Sequence, residues 1–375
     1  MRNPVSLYVH IPWCVRKCPY CDFNSHAIKQ PIDEAAYRRA LLDDLQQDLD
    51  EFGPRELHSI FFGGGTPSTL SPAFYSALLG ELAQRLEFSA DIEITLEANP
   101  GTVDAVNFSG YRQAGINRLS LGIQSFADDQ LNRLGRIHDS RQARAAIDIA
   151  QQSGFDNINL DLMFALPGQT VKQALQDLQQ AIDFAPSHLS WYQLTLEPNT
   201  EFASRPPTAM PDDELSWEIQ QAGQLLLADN GFQQYEVSAY ASEGRSCRHN
   251  LNYWSFGDYF GIGAGAHGKL TLPDGSALRL SKKRHPQDYQ AGHYRSTQKR
   301  LQAEDLRIEF LMNALRLNAG FSPQQFSAAT GLSAESLNPL NKKAINAGLL
   351  GFEQDRFVPT ALGRHFLNNL LEAYL

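Results

Sequence analysis

Apolar residues in the first two thirds of the chain follow two alternating rhythms. Short runs rich in β-branched and aromatic residues, at Ser6–Ile11, Ser59–Phe62, Asp91–Glu97, Arg118–Gln124, Asn157–Phe164 and Leu189–Leu196, read as strands. Longer amphipathic stretches at Asp33–Phe52, Pro72–Leu86, Val103–Ala114, Ser140–Ser153, Val171–Phe184 and Pro211–Asn230 read as helices. In the first of these, Ala36, Ala40, Leu41, Leu45 and Leu49 keep helical spacing, with charges on the other face. Such alternation implies a parallel sheet with helices outside it. Cys14, the run Gly63 to Pro67, Glu97, Gln124 and Asp161 sit at or just beyond strand ends. Chemistry in a parallel β/α barrel gathers at the C-terminal ends of the strands. The pattern therefore predicts an α/β protein whose residues 1–235 form a partial (β/α)6 TIM-like barrel, with a lateral opening.

Beyond Asn230 and Gly231 the rhythm changes. Phe232–Tyr240 reads as a further strand, residues 243–250 as a loop, and 257–268 as a glycine-rich segment. Lys282–Arg300 is polar and reads as a connector, so residues 236–300 are expected to form a β-rich extension. Helical patterns at 304–317, 322–330 and 333–347 precede a hairpin over Leu349–Pro359 and a last helix over Ala361–Leu371. Three helices, a hairpin and a helix predict a small winged-helix-like domain at 301–375.

Composition narrows the classes of function. With 42% hydrophobic and 20% charged residues the chain is of ordinary globular composition, and its formal charge of −10 argues against nucleic acid as a general partner. No apolar run approaches the roughly 18 residues of a membrane span. The N-terminus lacks an apolar signal core, which makes the cytoplasm the expected location. A homodimer is compatible with the sequence.

Three of the four cysteines, Cys14, Cys18 and Cys21, are spaced C-x3-C-x2-C. Four cysteines so distributed do not make a secreted disulfide framework. One reading is a half zinc site completed by Cys247 or His26, but zinc usually takes two pairs of ligands and no second C-x2-C exists. The other is an iron–sulfur cluster on three thiolates, which leaves one iron open to an outside ligand.

The run Cys14-x3-Cys18-x-Tyr20-Cys21 resembles the signature of radical S-adenosylmethionine (SAM) enzymes. That resemblance implies a [4Fe-4S] cluster on Cys14, Cys18 and Cys21, with SAM chelating the open iron. It also implies SAM contacts from Tyr8, Tyr20, Gly64, Gly65, Thr66, Glu97, Gln124, Arg136 and Asp161. A second run, His249-Asn-x-x-Tyr253-Trp254, resembles the motif of HemW-type heme chaperones, relatives of the oxygen-independent coproporphyrinogen III oxidases. Heme is then an expected ligand, with His249 its candidate iron ligand and Cys247 an alternative. Hemoproteins, some of them membrane-bound, become the expected acceptors. The oxidases carry a fourth cysteine where this chain has Phe23, and a long arm where only seven residues precede Tyr8. The sequence thus predicts a heme chaperone on a radical SAM scaffold, with no catalytic residue assigned. Radical decarboxylation of coproporphyrinogen III is the alternative.

Overall fold

The computed structural model describes residues 4–101 and 105–374. Six strands lie side by side in chain order, all parallel. They are β1 (Val5–Ile11), β2 (Leu57–Gly64), β3 (Phe88–Ala98), β4 (Arg118–Gln124), β5 (Ile158–Phe164) and β6 (His188–Gln193). Helices α1 (Glu34–Phe52), α2 (Pro72–Ala83), α3 (Phe108–Ala114), α4 (Ser140–Gln152), α5 (Val171–Asp183) and α6 (Asp213–Asp229) follow them in turn. The start of the expected third helix, at Val103, falls outside the described residues. Local chemistry sets several helix starts: Asp33, Ser71 and Asp212 accept from backbone N–H groups of the first turn. Asp139 and Thr170 form reciprocal capping boxes.

Alternation along the strands separates two environments. On β1, Val5, Leu7, Val9 and Ile11 are fully buried in the main apolar core, with Leu41 and Leu45 of α1. The intervening Ser6, Tyr8 and His10 make polar contacts on the other face. The same division recurs on β3, with Ile94 and Leu96 opposite Glu93 and Glu97, and on β5, with Leu160 and Leu162 opposite Asn159 and Asp161. The sheet thus wraps an apolar outer layer around a polar interior.

Past residue 230 the structure corrects several expectations. Phe232–Tyr240 is a hairpin and not one strand: β7 (Gln233–Glu236) and β8 (Ala239–Ala241) pair antiparallel, and β8 pairs antiparallel with β6. The turn is held by Glu236, which accepts from the Ser238 amide and hydroxyl. Residues 243–250 are not all loop, because α7 (Arg248–Trp254) begins there. The glycine-rich segment supplies β9 (Tyr259–Ile262), parallel to β1, and the start of β10 (His267–Thr271). Gly261 is required at that crossing: a Cβ there would lie 1.7 Å from the His267 carbonyl oxygen.

Nor is 282–300 a connector. It holds the end of β11 (Ala277–Lys282), a short helix at Pro286–Gln290 and β12 (Arg295–Arg300). Most of β12 faces solvent at the sheet edge, so hydrophobic periodicity could not announce it; charge is how edge strands avoid further pairing. The complete order is β12-β11-β10-β9-β1-β2-β3-β4-β5-β6-β8-β7, a twelve-stranded sheet that extends the parallel strands at both ends.

A buried ion cluster fastens this extension to the barrel. Lys282 Nζ meets Asp44 at 2.5 Å and Asp48 at 2.7 Å on α1, while Tyr289 donates to Asp44 and Arg295 to Asp48. The C-terminal region has its own core around Phe310, Phe326, Leu350 and Leu370. Its helices span Ala303–Ala314, Pro323–Thr330 and Asn338–Asn346, with a hairpin of Leu350–Glu353 and Arg356–Pro359. The expected last helix is broken at Phe366 into Ala361–His365 and Leu367–Glu372. Removing one partner of a buried ion pair strands the others, so Lys282→Met should cost about 3–5 kcal/mol of stability in urea unfolding.

Candidate functional site

Cys14 ends a two-residue strand, Trp13–Cys14, paired with His26–Ala27. Cys18 and Cys21 lie on the loop between, closed by the Cys21 amide donating to the Cys18 carbonyl. Backbone bonds fasten this loop to the glycine run after β2: Gly65 N–H to the Ile11 carbonyl (2.6 Å) and Thr66 N–H to the Trp13 carbonyl (2.7 Å). Only glycine fits at that approach, because a Cβ on Gly65 would stand 2.4 Å from the Trp13 oxygen. Gly64 takes a φ of +119°, in the left-handed half of the map.

The three thiols line a cavity of about 320 Å³ at the C-terminal mouth of the strands. Tyr20, Gly64, Gly65, Thr66, Glu97, Gln124, Arg136 and Asp161 line it too. Burial raises the pKa of both Cys14 and Cys21. Among the described residues no three His, Cys, Asp or Glu side chains converge tightly enough to hold a metal ion. The thiols therefore share a wall without meeting at one point.

The acidic groups of this cavity are strongly perturbed. Glu97 accepts from the Gly64 amide at 3.2 Å and lines both this cavity and its neighbour. Burial, with the Asp161 charge second, pushes its pKa up to about 8. Asp161, also raised by burial, is held by Ser120 (3.0 Å) and Asn159 (2.8 Å). Gln124 has a φ of 67° and accepts from the Tyr192 hydroxyl at 2.8 Å. Arg136 donates to Asn99 Oδ1 at 2.6 Å and to the Gly122 carbonyl at 2.8 Å. A second guanidinium nitrogen lies 3.6 Å from Cys18 Sγ and 3.5 Å from the Tyr20 hydroxyl, while its Nε is buried without a partner. Sequence reasoning missed Asn99, which also donates to Thr66 Oγ1 at 3.0 Å. Its place two residues after Glu97 was the available signal.

Tyr8 stands apart from this group. It lines an adjoining cavity of about 570 Å³ with Tyr253, Tyr259, His267 and Arg284; Phe23, Gly64 and Glu97 line both cavities. Its hydroxyl bonds His10 Nδ1 at 2.9 Å.

His249 lines neither cavity. It is 1% exposed, with Nδ1 3.0 Å from Ser59 Oγ and Nε2 2.9 Å from the Tyr253 hydroxyl. Phe61 stacks on its ring, and burial, aided by His58 and Arg118, lowers its pKa to about 3. With both nitrogens engaged, no ring nitrogen is offered to iron, and in this arrangement His249 is a packed core residue. Cys247 is likewise fully buried, its Sγ 3.4 Å from Glu93 Oε1. The Glu93 carboxylate also accepts from the backbone N–H groups of Arg248 and His249, both at 3.2 Å, and so caps α7. Cys247 and His249 thus pack inside the protein away from the cysteines, while Tyr253 of the same motif reaches the larger cavity.

Fold and cavity together define a class. Residues 8–181 match the family model of the radical SAM superfamily, and residues 301–366 that of the HemN C-terminal domain. The structure of coproporphyrinogen III oxidase (HemN) from Escherichia coli, titled a radical SAM enzyme, shares the fold. Its TM-score is 0.82 over 99% of this chain and 90% of that one, at 23% identity. Over 99% of this chain and 98% of theirs, the heme chaperones HemW of Haemophilus influenzae and Escherichia coli are 52% and 51% identical. The chain belongs to the HemW heme chaperone family.

Two outcomes follow from the site's energetics. A carboxyl whose folded pKa lies above its unfolded value stabilises below the unfolded pKa and loses that contribution as pH rises toward the folded one. Between pH 4.5 and about 8, the wild type should therefore lose stability relative to Glu97→Gln, measured by urea unfolding of cofactor-free protein. His249→Ala would strip the Tyr253 hydroxyl of its partner, leave Ser59 only its bond to Ser6, and open a cavity in the core, which should cost about 2–5 kcal/mol in the same measurement.

Proposed function

We propose that this protein is a heme chaperone on a radical SAM scaffold, delivering heme to acceptor hemoproteins. Cys14, Cys18 and Cys21 would hold a [4Fe-4S] cluster, and SAM would occupy the cavity beside it. The donor set suits both groups. Three thiols border one wall, the glycine run brings backbone close to any ligand, and Glu97 offers a half-buried carboxylate for an ammonium group. Arg136 lines the same cavity, with a guanidinium nitrogen 3.6 Å from Cys18 Sγ. When bound, the cluster would supply an open iron and electrons; Tyr20, Gln124 and Asp161 would shape the pocket and exclude water.

The observation that carries the chaperone reading is Phe23. It stands on the rim of the cysteine cavity, 59% exposed, at the position where the resemblance to the decarboxylating oxidases implies a fourth cysteine. The HemW relatives at 52% and 51% identity support the same reading. None of the described helices is long and apolar enough to cross a membrane. We place the protein in the cytoplasm, meeting membrane-bound acceptors at the surface, as a monomer or a homodimer.

The test uses protein reconstituted with iron and sulfide under anaerobic conditions. The wild type should show iron–sulfur absorbance and take up heme in a one-to-one titration with a Soret band. Cys14→Ser should lose the iron–sulfur absorbance. In the same preparation, SAM and coproporphyrinogen III should yield no protoporphyrinogen IX by mass spectrometry; its appearance would overturn the chaperone-only reading.

A further inference from the structure

With His249 locked in the core, the heme carried under the proposed function needs another place and another iron ligand. We infer that heme lies in the 570 Å³ cavity beside the cysteine pocket, with His267 as its axial iron ligand and Arg284 pairing with a propionate. The inference rests on the chaperone reading and names the site that reading leaves open.

Size and a mixed wall of aromatic and polar residues suit a flat macrocycle that carries carboxylates. The volume falls inside the roughly 300–1,000 Å³ of small-molecule sites, and Tyr8, Tyr253 and Tyr259 supply aromatic surface. Elimination selects the ligand. The Tyr8 hydroxyl is bonded to His10, that of Tyr253 to His249, and that of Tyr259 accepts from Arg279 at 2.7 Å. His10, the other imidazole on the wall, uses Nδ1 for Tyr8 and Nε2 for the Asn24 carbonyl at 2.9 Å. His267 alone of these side chains is exposed to the cavity with no hydrogen-bond partner among the described residues. Imidazole is a common axial ligand of heme iron.

Charge on the wall points the same way. Lys282 is consumed by Asp44 and Asp48, whereas Arg284 is exposed and makes no ion pair among the described residues. A guanidinium presents the paired donors that a carboxylate accepts. Because Phe23, Gly64 and Glu97 wall both cavities, heme placed here would lie directly against the pocket proposed for SAM. Occupancy of one would be felt at the other through that shared wall.

The experiment is an anaerobic titration of full-length reconstituted protein with heme, followed by Soret position and Kd. His267→Ala should weaken binding about tenfold or more and shift the Soret band. His267→Cys should instead bind heme with a thiolate-type spectrum, which shows that position 267 faces the iron even where the alanine variant folds poorly. Arg284→Glu should weaken binding without moving the band, and His293→Ala, an exposed histidine elsewhere, should change neither. Wild type that takes up no heme would defeat the proposed function and this site together. Wild type that binds heme with spectrum and Kd unaltered by both His267 substitutions would overturn this assignment alone.

Discussion

The polar interior of the barrel is the constraint from which most of the structure follows. Each parallel strand gives one face to the apolar shell and the other to a buried polar layer, where unpaired donors and charges are costly. Toward the N-terminal ends of the strands the layer is closed by protein. Glu93 caps the helix that carries His249, His249 bridges Ser59 and Tyr253, and His188 bonds Asn159 and Tyr235. At the C-terminal ends it is not closed: Glu97, Asp161 and Arg136 line cavities, and burial raises the pKa of both carboxyls. One end of the same layer is thus structural and the other is poised for ligands.

That division explains why two motifs so prominent in the sequence have different fates. The cysteine run sits where the chain leaves β1 and is strapped to the glycine run after β2 by backbone bonds, so it borders the open end. The His249 run enters the closed end as α7, with both ring nitrogens of His249 paired inside the protein. A histidine near aromatic residues carries the same letters in either setting. Packing, not spacing, distinguishes a ligand from a strut.

The antiparallel strands past residue 230 do more than lengthen the sheet. β9 lies against β1, and β10 and β11 continue from it, so their residues form the far wall of the larger cavity beside Tyr8 and Glu97. The buried Lys282 cluster ties that wall to α1. The six parallel strands alone would have left the edge of β1 bare; with the extension, that edge lines the larger cavity, which Phe23, Gly64 and Glu97 share with the cysteine cavity.

The sequence by itself determined the six strand–helix units, the mouth residues, the cysteine cavity and the family. These rest on local periodicity, on spacing within a few residues, and on motifs whose chemistry is carried by residue type. It did not determine β12, whose charged residues carry no apolar period, nor the hairpin hidden in 232–240, whose strands are only four and three residues long. It could not tell that Tyr8 belongs to a different cavity from Tyr20, or that Asn99 links Thr66 to Arg136. Least of all could it tell that both ring nitrogens of His249 are engaged within the protein. Whether an imidazole nitrogen is free depends on partners brought from distant strands, Ser59 to His249 across 190 residues, and only tertiary structure makes those meetings.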